Sequence, residues 1–317
     1  MRAVITGVAG FVGSNLAEEL LSQGHEVVGI DSITDYYSPE LKRANLARLS
    51  RPGFTFLESD LNDLNLIEVL DDSVDVVYHQ AGQPGVRKSW GSDFDEYVHA
   101  NISATQKLLE AAVHCRGLSR LVYASSSSVY GNAETYPTSE QDRPQPMSPY
   151  GVTKLAAEHL CSLYAENFGL PTTSLRYFTV YGPGQRPDMA FTRFTTAAVR
   201  GEPITVFGSG EQLRDFTFID DVVRANIAAG AADVKPGTVL NVAGGSNVSV
   251  NEALSIIEEL HGSSLEVRRE GTVRGDVFRT GGSTDAIRAN LGWEPQVGIA
   301  EGLRRHYEWA CATNAGN

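Results

Sequence analysis

The chain has 317 residues, of which 42% are hydrophobic, and this is enough to bury the core of one large domain or of two unequal ones. Its formal net charge of -13 argues against a nucleic-acid partner, because such a partner requires a basic protein face. No run of about 18 uncharged apolar residues occurs, so the sequence argues against a membrane span and a membrane partner.

Short β-branched runs alternate with helix-forming segments through the first half of the chain. The runs that predict buried strands are residues 2–6, 26–30, 54–57, 74–78, 120–124 and 172–177. The segments that predict helices are residues 11–23, 41–49, 64–70, 94–115 and 149–168. Strand and helix in alternation favour an α/β fold with a doubly wound parallel sheet of the Rossmann type.

The pattern changes after about Tyr181, where Pro and Gly become dense and the alternation is lost. A further helix is expected to open at Asp220 and to pack back on the sheet, and a strand is expected near residues 239–242. We therefore predict two interleaved domains. The Rossmann domain would comprise residues 1–180 with about 217–243, and a smaller substrate-binding domain would comprise about 181–216 and 244–317.

The three cysteines, Cys115, Cys161 and Cys311, are scattered and do not form metal-like pairs. Their odd number and their spacing are typical of a protein in a reducing compartment. The sequence therefore predicts a cytoplasmic protein without a metal site.

Three glycines follow the first strand in the motif G-V-A-G-F-V-G, residues 7–13. Glycine permits a tight turn and a close approach of the backbone to a pyrophosphate, and the N-terminus of the next helix supplies N–H groups and partial positive charge. Asp31 follows the second strand, where a carboxylate accepts hydrogen bonds from the adenosine ribose. Because no basic residue follows Asp31 immediately, the sequence favours NAD over NADP. The residues predicted to bind NAD are Gly7, Gly10, Phe11, Val12, Gly13, Asp31, Asp60 and Leu61, although an Asp in the position of Asp60 is also an ordinary helix cap.

Tyr150 and Lys154 have the i, i+4 spacing that places two side chains on one helix face, and Ser148 and Pro149 precede them as N-cap and first helical residue. A cationic lysine lowers the pKa of a neighbouring phenol, so that the tyrosine can remove an alcohol proton while hydride passes to NAD. Upstream, a predicted strand ends in four serines, residues 125–128, at the sheet edge where ligands bind. The sequence therefore predicts an acid–base site in which a serine hydroxyl bonds the reacting oxygen.

These motifs together resemble the extended short-chain dehydrogenases/reductases that act on nucleotide sugars. The resemblance runs nearly end to end and includes S-S-S-S-V-Y-G at residues 125–131, S-P-Y-G-V-T-K at 148–154 and R-D-F-T-F-I-D-D-V at 214–222. The string R-Y-F-T-V-Y-G-P-G-Q-R-P-D-M-A at 176–190, with Q-P-G-V-R at 83–87, is most similar to UDP-glucuronic acid 4-epimerases.

This resemblance implies roles for individual residues and a UDP-sugar as the bound partner. The catalytic set would be Ser126, Tyr150 and Lys154. Gln80, Ala81, Asn101 and Tyr177 would join the cofactor site together with Tyr150 and Lys154, and Phe178 would lie beside the nicotinamide with Tyr177. The substrate would be bound by Pro84, Gly85, Arg87, Ser127, Ser128, Thr179, Arg186, Arg214 and Arg274, of which Arg186 and Arg214 would approach the nucleotide and its diphosphate. Residues 94–115 and 149–168 resemble helices that pair as a four-helix bundle in family dimers, which implies a homodimer.

Related enzymes that catalyse other reactions on nucleotide sugars carry different residues at the two positions after Ser126. Dehydratases carry an Asp-Glu pair where this chain has Ser127-Ser128, and two serines supply neither the acid nor the base that elimination of water requires. Decarboxylases tend to carry a Glu at the position of Ser128. We therefore expect reversible 4-epimerisation of UDP-glucuronic acid to UDP-galacturonic acid through a 4-keto sugar. The alternatives that stay open are a UDP-hexose 4-epimerase, then a UDP-glucuronic acid decarboxylase and, from a different class, a non-catalytic NAD-binding sensor.

Overall fold

The computed structural model describes residues 1–271 and 277–314. Its strands are β1 (Arg2–Thr6), β2 (Glu26–Asp31), β3 (Phe54–Glu58), β4 (Val76–His79), β5 (Arg120–Ser126), β6 (Thr172–Tyr177), β7 (Thr179–Tyr181), β8 (Ile204–Phe207), β9 (Leu213–Phe218), β10 (Thr238–Val242), β11 (Asn247–Ser249) and β12 (Val267–Glu270). Seven of them form a parallel sheet in the order β10-β6-β5-β4-β1-β2-β3. The direction in which strands are added reverses between β1 and β4, which opens a crevice at their carboxyl ends.

Helices cover both faces of this sheet, and others pack on the smaller sheets. The helices within the described residues are α1 (Phe11–Ser22), α2 (Pro39–Leu49), α3 (Leu66–Val69), α4 (Phe94–Tyr97), α5 (Ala104–His114), α6 (Pro149–Phe168), α7 (Ala190–Arg200), α8 (Ile219–Ala231), α9 (Val250–His261), α10 (Asp285–Leu291) and α11 (Ile299–Asn314). Because side chains alternate along a strand, Ala3 and Ile5 pack with α1 and α8, while Val4 packs with α5 and α6. None of the helices within the described ranges has both the length and the apolar character needed to cross a membrane.

The elements predicted for the first half are confirmed to within two residues at their ends, with one exception. The helix predicted over residues 94–115 is present as one continuous helical stretch to His114, but it is not α-helical throughout, because a π-helical segment, Val98–Ser103, lies between α4 and α5. Within this segment the Asn101 carbonyl oxygen accepts a hydrogen bond from the Thr105 hydroxyl at 2.6 Å. A π-helical turn accommodates an extra residue without ending the helix, so the apolar periodicity could not reveal it.

Beyond Tyr181 the structure contains more regular elements than the sequence pattern predicted. Here β7, β9 and β11 form a three-stranded sheet in the order β11-β9-β7, and β8 pairs with β12. Helix α11 packs on α7 and α9. The helix expected at Asp220 is α8, and the strand expected near residues 239–242 is β10, which completes the large sheet beside β6.

Candidate active site

The carboxyl ends of five central strands deliver the main sequence motifs to one edge of the sheet. Gly7 follows β1 and Asp31 ends β2. On the other side of the strand-order reversal, Gln80 follows β4, Ser126 ends β5 and Tyr177 ends β6. These residues therefore line the crevice in which open α/β sheets bind ligands.

The segment between β1 and α1 cannot accept a side chain at Gly7 or at Gly13. Gly7 has a φ of 70°, and a Cβ there would lie 2.7 Å from a backbone nitrogen of the segment after β4. A Cβ on Gly13 would lie 2.2 Å from the Gly7 carbonyl oxygen. Gly10 caps α1 without a side-chain hydrogen bond, and Phe11 and Val12 begin the first turn, whose N–H groups have no partner inside the helix. The turn therefore has the shape and the donors that a pyrophosphate requires.

Asp31 joins the glycine-rich turn to the end of β2. Its Oδ2 accepts a hydrogen bond from the Ala9 N–H at 3.0 Å, and its Oδ1 accepts one from the Ile33 N–H at 2.9 Å. Burial raises the pKa of Asp31, although these hydrogen bonds and the Lys42 charge act in the opposite direction. Each carboxylate oxygen has a further lone pair, so Asp31 can also accept hydrogen bonds from ribose hydroxyls.

Asp60 and Leu61 follow β3. Asp60 Oδ1 accepts a hydrogen bond from the Asn62 N–H at 2.7 Å, and Asp60 Oδ2 lies 3.3 Å from His99 Nε2. Burial alone would raise the pKa of Asp60, but the hydrogen bonds from Asn62 and the interaction with His99 together outweigh it and the net pKa is lowered. Leu61 is buried. Asp60 thus closes the turn after its strand while keeping lone pairs for a ligand.

Gln80 and Tyr177 meet at the base of the crevice. The Tyr177 hydroxyl lies 2.8 Å from Asn226 Oδ1 and 3.1 Å from Gln80 Oε1, and Gln80 Nε2 donates to Asn226 Oδ1 at 2.9 Å. The Ala81 N–H donates to Thr6 Oγ1 at 3.1 Å. Asn226 lies on α8, far along the chain, and no sequence signal connected it with this site.

Asn101 fixes the segment after β4 against α6. Its Oδ1 accepts a hydrogen bond from the Gln83 N–H at 2.7 Å, and its Nδ2 donates to the Gln83 carbonyl oxygen at 3.1 Å. The same Nδ2 donates to Thr153 Oγ1 at 2.9 Å. The side chain of Asn101 therefore connects the π-helical segment with the helix that carries Tyr150 and Lys154.

The helix α6 begins as the sequence predicted. Ser148 Oγ accepts a hydrogen bond from the Gly151 N–H at 3.1 Å, and Pro149 is the first helical residue. In the first turn, the Tyr150 phenol lies close enough to the Ser126 side chain for the two to interact. The structure thus brings together a phenol and a serine hydroxyl that can contact the same oxygen of a bound sugar.

Burial controls the electrostatics of this acid–base pair. Lys154 is 6% exposed, its Nζ lies 4.9 Å from the centre of the Tyr123 ring, and burial lowers the pKa of its ammonium to about 8. Burial also raises the pKa of Tyr150, while the interaction with Ser126 and the charge of Arg186 act against that rise. A positive charge brought into the crevice by a ligand would lower the pKa of the phenol further.

Three more hydroxyls flank this site. Ser127 and Ser128 begin a short 3-10 turn after β5, and Thr179 begins β7. The Ser128 N–H donates to Ser126 Oγ at 3.1 Å, which shapes the turn. All three hydroxyl residues are partly exposed and can donate to a ligand.

A buried ion pair supports the serine segment from behind. Ser125 Oγ donates to Glu158 Oε2 at 2.6 Å, and Arg176 donates to both Glu158 oxygens at 2.9 and 2.6 Å. Arg176 also donates to the Tyr130 hydroxyl at 2.7 Å. Glu158 was not predicted from the sequence, although it follows Lys154 by one helical turn and therefore lies on the same face of α6.

Arg186 lies near Tyr150 and is held by two contacts. Its guanidinium donates to both Asp188 oxygens at 2.9 and 2.8 Å, and it lies 5.7 Å from the centre of the Tyr36 ring. The Lys88 ammonium lies 4.7 Å from the same ring. Tyr36 and Asp188 were also not predicted from the sequence. The only signal for Tyr36 is that it follows Asp31 in the loop after β2.

The substrate loop predicted at residues 83–87 is held by aromatic residues. The Tyr97 hydroxyl lies 2.9 Å from the Pro84 carbonyl oxygen and 2.8 Å from that of Gly85. Gly85 has a φ of 103°, and a Cβ there would lie 2.3 Å from a tyrosine hydroxyl of the loop after β2. The Arg87 guanidinium lies 4.4 Å from the centre of the Phe207 ring.

Arg214 and Arg274 are the remaining arginines that were predicted to bind the substrate. Arg214 lies in β9, and its Nη1 donates to the carbonyl oxygens of Leu213 at 2.9 Å and Phe278 at 3.2 Å. Arg274 lies outside the described residues. Residues 1–271 and 277–314 contain no cluster of His, Cys, Asp and Glu that could hold a metal ion.

Comparison with known families and proteins gives a match over most of the chain. A family model described as the NAD dependent epimerase/dehydratase family matches residues 3–243. This span contains the glycine-rich turn, Asp31, the serine segment, Tyr150 and Lys154, and it ends just after β10.

Similar proteins match nearly the full length. The chain is 40% identical over 307 residues to the uncharacterized UDP-glucose epimerase YtcB of Bacillus subtilis (strain 168), covering 96% of each chain. It is 36% identical over 313 residues to the UDP-glucuronate 4-epimerase of Thermodesulfobacterium geofontis (strain OPF15), covering 97% of this chain and 95% of that one. The UDP-glucuronic acid 4-epimerase from Bacillus cereus, in complex with UDP-glucuronic acid and NAD, superposes with a TM-score of 0.95 at 41% identity, covering 99% of this chain and 100% of that one.

Proposed function

We propose that this chain, which belongs to the NAD dependent epimerase/dehydratase family, is a UDP-glucuronic acid 4-epimerase. It interconverts UDP-glucuronic acid and UDP-galacturonic acid through a 4-keto sugar and uses NAD without consuming it. The observation that carries the assignment is the pair of hydroxyl residues Ser127 and Ser128 directly after Ser126, at positions where related dehydratases and decarboxylases use carboxylates.

The crevice has the features that NAD requires. The glycine-rich turn has no room for side chains where the pyrophosphate binds, and Asp31 receives the ribose hydroxyls. Asp60 and Leu61 would border the adenine, Gln80, Ala81 and Asn101 would line the cofactor cleft, and Tyr177 would lie beside the nicotinamide. When bound, NAD accepts the hydride from carbon 4 of the sugar and gives it back.

Tyr150 moves the proton in both half-reactions. Its phenol oxygen takes the proton of the carbon-4 hydroxyl, and the Ser126 hydroxyl bonds the same sugar oxygen. Lys154 favours the phenolate through its positive charge. After the 4-keto sugar has rotated in the pocket and presents its opposite face, the same phenol returns the proton, so no external acid is required.

The sugar carboxylate has to be held because the intermediate is a β-keto acid. Such an acid loses carbon dioxide when the bond to its carboxyl carbon aligns with the ketone π system. Ser127, Ser128 and Thr179 are neutral donors that restrain the carboxylate without supplying an acid that would protonate an enolate. A hydrogen bond to a charged acceptor contributes about 1.5–3 kcal/mol, so these donors also favour a uronic acid over a neutral hexose.

The rest of the UDP-sugar site comes from the loops around the crevice. We assign Arg186 and Arg214 to the nucleotide and its diphosphate, and Pro84, Gly85 and Arg87 to the wall of the sugar pocket. A bidentate arginine is well suited to an anionic phosphate. We propose the same role for Arg274 on the basis of the sequence resemblance alone.

A second candidate function is 4-epimerisation of a UDP-hexose. The name of the Bacillus subtilis relative favours it. Epimerisation of a neutral sugar needs the same Tyr150 and Lys154 but no donors for a carboxylate. The two functions therefore differ in what Ser127, Ser128 and Thr179 contribute.

The test is product analysis by NMR with UDP-glucuronic acid and with UDP-glucose. We expect UDP-galacturonic acid as the main product and much poorer turnover of UDP-glucose. Ser127→Ala and Ser128→Ala should raise the share of decarboxylated pentose, whereas Ser255→Ala, an exposed hydroxyl change on α9, should leave the product unchanged. UDP-xylose or a UDP-4-keto-pentose as the main wild-type product would refute the assignment, and faster turnover of UDP-glucose would favour the second candidate.

We propose that the enzyme is a homodimer that pairs through α6 and α5. Val152 and Leu163 are 48% and 54% exposed, and their spacing places them on one face of α6. Exposed apolar side chains in a row favour an interface. Light scattering of the purified protein should give the mass of a dimer, and Leu163→Glu should shift it towards a monomer.

We also propose a cytoplasmic location and the predicted two-domain division. Cys115, Cys161 and Cys311 are free, which fits a reducing compartment. Residues 1–180 with about 217–243 supply all seven strands of the large sheet, which supports their assignment to an NAD-binding domain. Residues 181–216 and 244–317 form the nucleotide-sugar-binding part.

A further inference from the structure

The buried imidazole of His79 takes part in none of the steps above. His79 ends β4 and is fully buried. Its Nδ1 lies 2.7 Å from Thr6 Oγ1, and its Nε2 lies 2.9 Å from Thr105 Oγ1. The ring is close enough to the Lys154 ammonium for the two to interact electrostatically, and its centre lies 5.6 Å from that of the Tyr123 ring.

The hydrogen bonds around the ring determine its tautomer. Thr105 donates its single hydroxyl hydrogen to the Asn101 carbonyl oxygen at 2.6 Å, so its oxygen has to accept from His79 Nε2–H. In a neutral imidazole Nδ1 is then an acceptor, and it takes the hydroxyl hydrogen of Thr6. Thr6 Oγ1 in turn accepts the Ala81 N–H at 3.1 Å. Every donor in this chain of bonds therefore has an acceptor if the ring is neutral with its hydrogen on Nε2.

The hydrogen-bond network that begins at His79 extends through Asn101 to the helix that carries the acid–base pair. The Asn101 carboxamide donates to Thr153 Oγ1, and the Thr153 hydroxyl donates to the Tyr150 carbonyl oxygen at 2.8 Å. A Cβ on Gly82 would lie 2.7 Å from Asn101 Oδ1 and 3.4 Å from Lys154 Nζ. The Asn101 carboxamide and the Lys154 ammonium therefore lie against the same short piece of backbone.

We propose that His79 is a positioning residue, which acts through Thr105 to hold the π-helical segment and so places the Asn101 carboxamide and Lys154 for the reaction. This inference rests on the proposed function, because Tyr150 and Lys154 are the acid–base pair of that function. The role requires a neutral ring, since a second positive charge would repel Lys154. The groups that face the ring are Thr6, Thr105, Tyr123 and Lys154, and burial lowers the pKa of His79 to about 3, so the ring is neutral at working pH.

The first test uses Thr105→Val, which keeps the shape of the side chain and removes both of its hydrogen bonds. We expect kcat to fall about tenfold to a hundredfold, the range that a small misplacement of catalytic groups costs. We also expect the acid limb of the kcat–pH profile to move to higher pH, because a displaced Lys154 favours the Tyr150 phenolate less.

Two matched variants separate positioning from stability. Thr105→Ser keeps the hydroxyl and should restore kcat and the pH profile. Thr173→Val makes the same change at a buried hydroxyl that has no partner within the described part of the chain, and it should change neither quantity. Wild-type kcat and pH profile in folded Thr105→Val enzyme would overturn the proposal.

The second test is independent of the sugar. Nitrogen-15 NMR of histidine-labelled protein should show His79, identified among the seven histidines by its loss in His79→Gln, as neutral with the hydrogen on Nε2. Thr105→Val should shift that signal. A protonated ring, or a hydrogen on Nδ1, would overturn the inference even if the enzyme epimerises UDP-glucuronic acid. Failure of epimerisation with the expected tautomer would instead count against the proposed function.

Discussion

At the scale of single residues, one phenol oxygen carries the proton transfer. Tyr150→Phe keeps the ring and its edge-on contact with Tyr97, whose centroid lies 6.3 Å away, but removes the acid–base group. General acid–base catalysis contributes roughly 10²–10⁴-fold, so turnover should fall by that factor. Calorimetric titration should show that NAD and the UDP-sugar still bind. An active Tyr150→Phe enzyme would show that another group takes the proton.

A buried histidine makes the stability depend on pH. His306 is fully buried, and burial lowers its pKa to about 4, whereas the unfolded chain has the ordinary value near 6.5. Between these values the unfolded chain binds a proton that the folded ring does not. The free energy of unfolding should therefore fall as the pH drops, by about 2 kcal/mol from this residue at pH 5.

Denaturant unfolding of His306→Gln at pH 7 and pH 5 checks this prediction. The loss of stability between the two pH values should be smaller than in the wild type by about 2 kcal/mol. His114→Gln, at an exposed position, should lose as much as the wild type. An unchanged difference in His306→Gln would contradict the account.

At the scale of elements, the turn between β1 and α1 depends on the absence of side chains. In Gly13→Ala the new Cβ would lie 2.2 Å from the Gly7 carbonyl oxygen, so the turn has to move. Overpacking costs about 1–3 kcal/mol, and we expect NAD to bind about tenfold more weakly. Gly298→Ala, where a Cβ meets no atom within 4 Å, is the control for NAD titration and thermal unfolding. Wild-type NAD affinity in Gly13→Ala would contradict the assigned site.

The sequence predicted the elements whose signals are local. Strand β1 and helix α6 have the predicted bounds, because an apolar run and a Ser-Pro start determine them. The π-helical segment Val98–Ser103 was missed, since it depends on side-chain hydrogen bonds that periodicity does not show. Helix α7 and strands β8 and β9 were missed because turn-rich flanks hid their patterns.

The site was predictable where residues belong to a motif and not where they meet through the fold. The positions of Gly7, Asp31 and Tyr150 follow from spacing within one strand–helix unit. Tyr36 and Asn226 reach the crevice from other parts of the chain, and only tertiary packing brings them there. The roles assigned to the site residues stay predictions until variants are measured.

At the scale of the whole molecule, a buried ion pair connects β5, β6 and α6. Glu158 and Arg176 are 2% and 5% exposed, so Arg176→Met leaves a buried carboxylate without its partner. We expect urea unfolding to show a loss of about 3–5 kcal/mol. Arg304→Met breaks exposed pairs with Glu301 and Glu308 and should cost less than about 1 kcal/mol. A loss for Arg176→Met no larger than that of the control would show that the pair does not support the fold.

The central claim for the molecule is that hydride leaves carbon 4 of UDP-glucuronic acid and returns to the same carbon within one site. The most direct measurement is to incubate the enzyme with UDP-glucuronic acid deuterated at carbon 4 and to follow the product by NMR and mass spectrometry. We expect UDP-galacturonic acid that retains both the deuterium and the carboxyl group, with no net formation of NADH. Loss of deuterium to the solvent, accumulation of NADH, or release of carbon dioxide with a pentose product would contradict it.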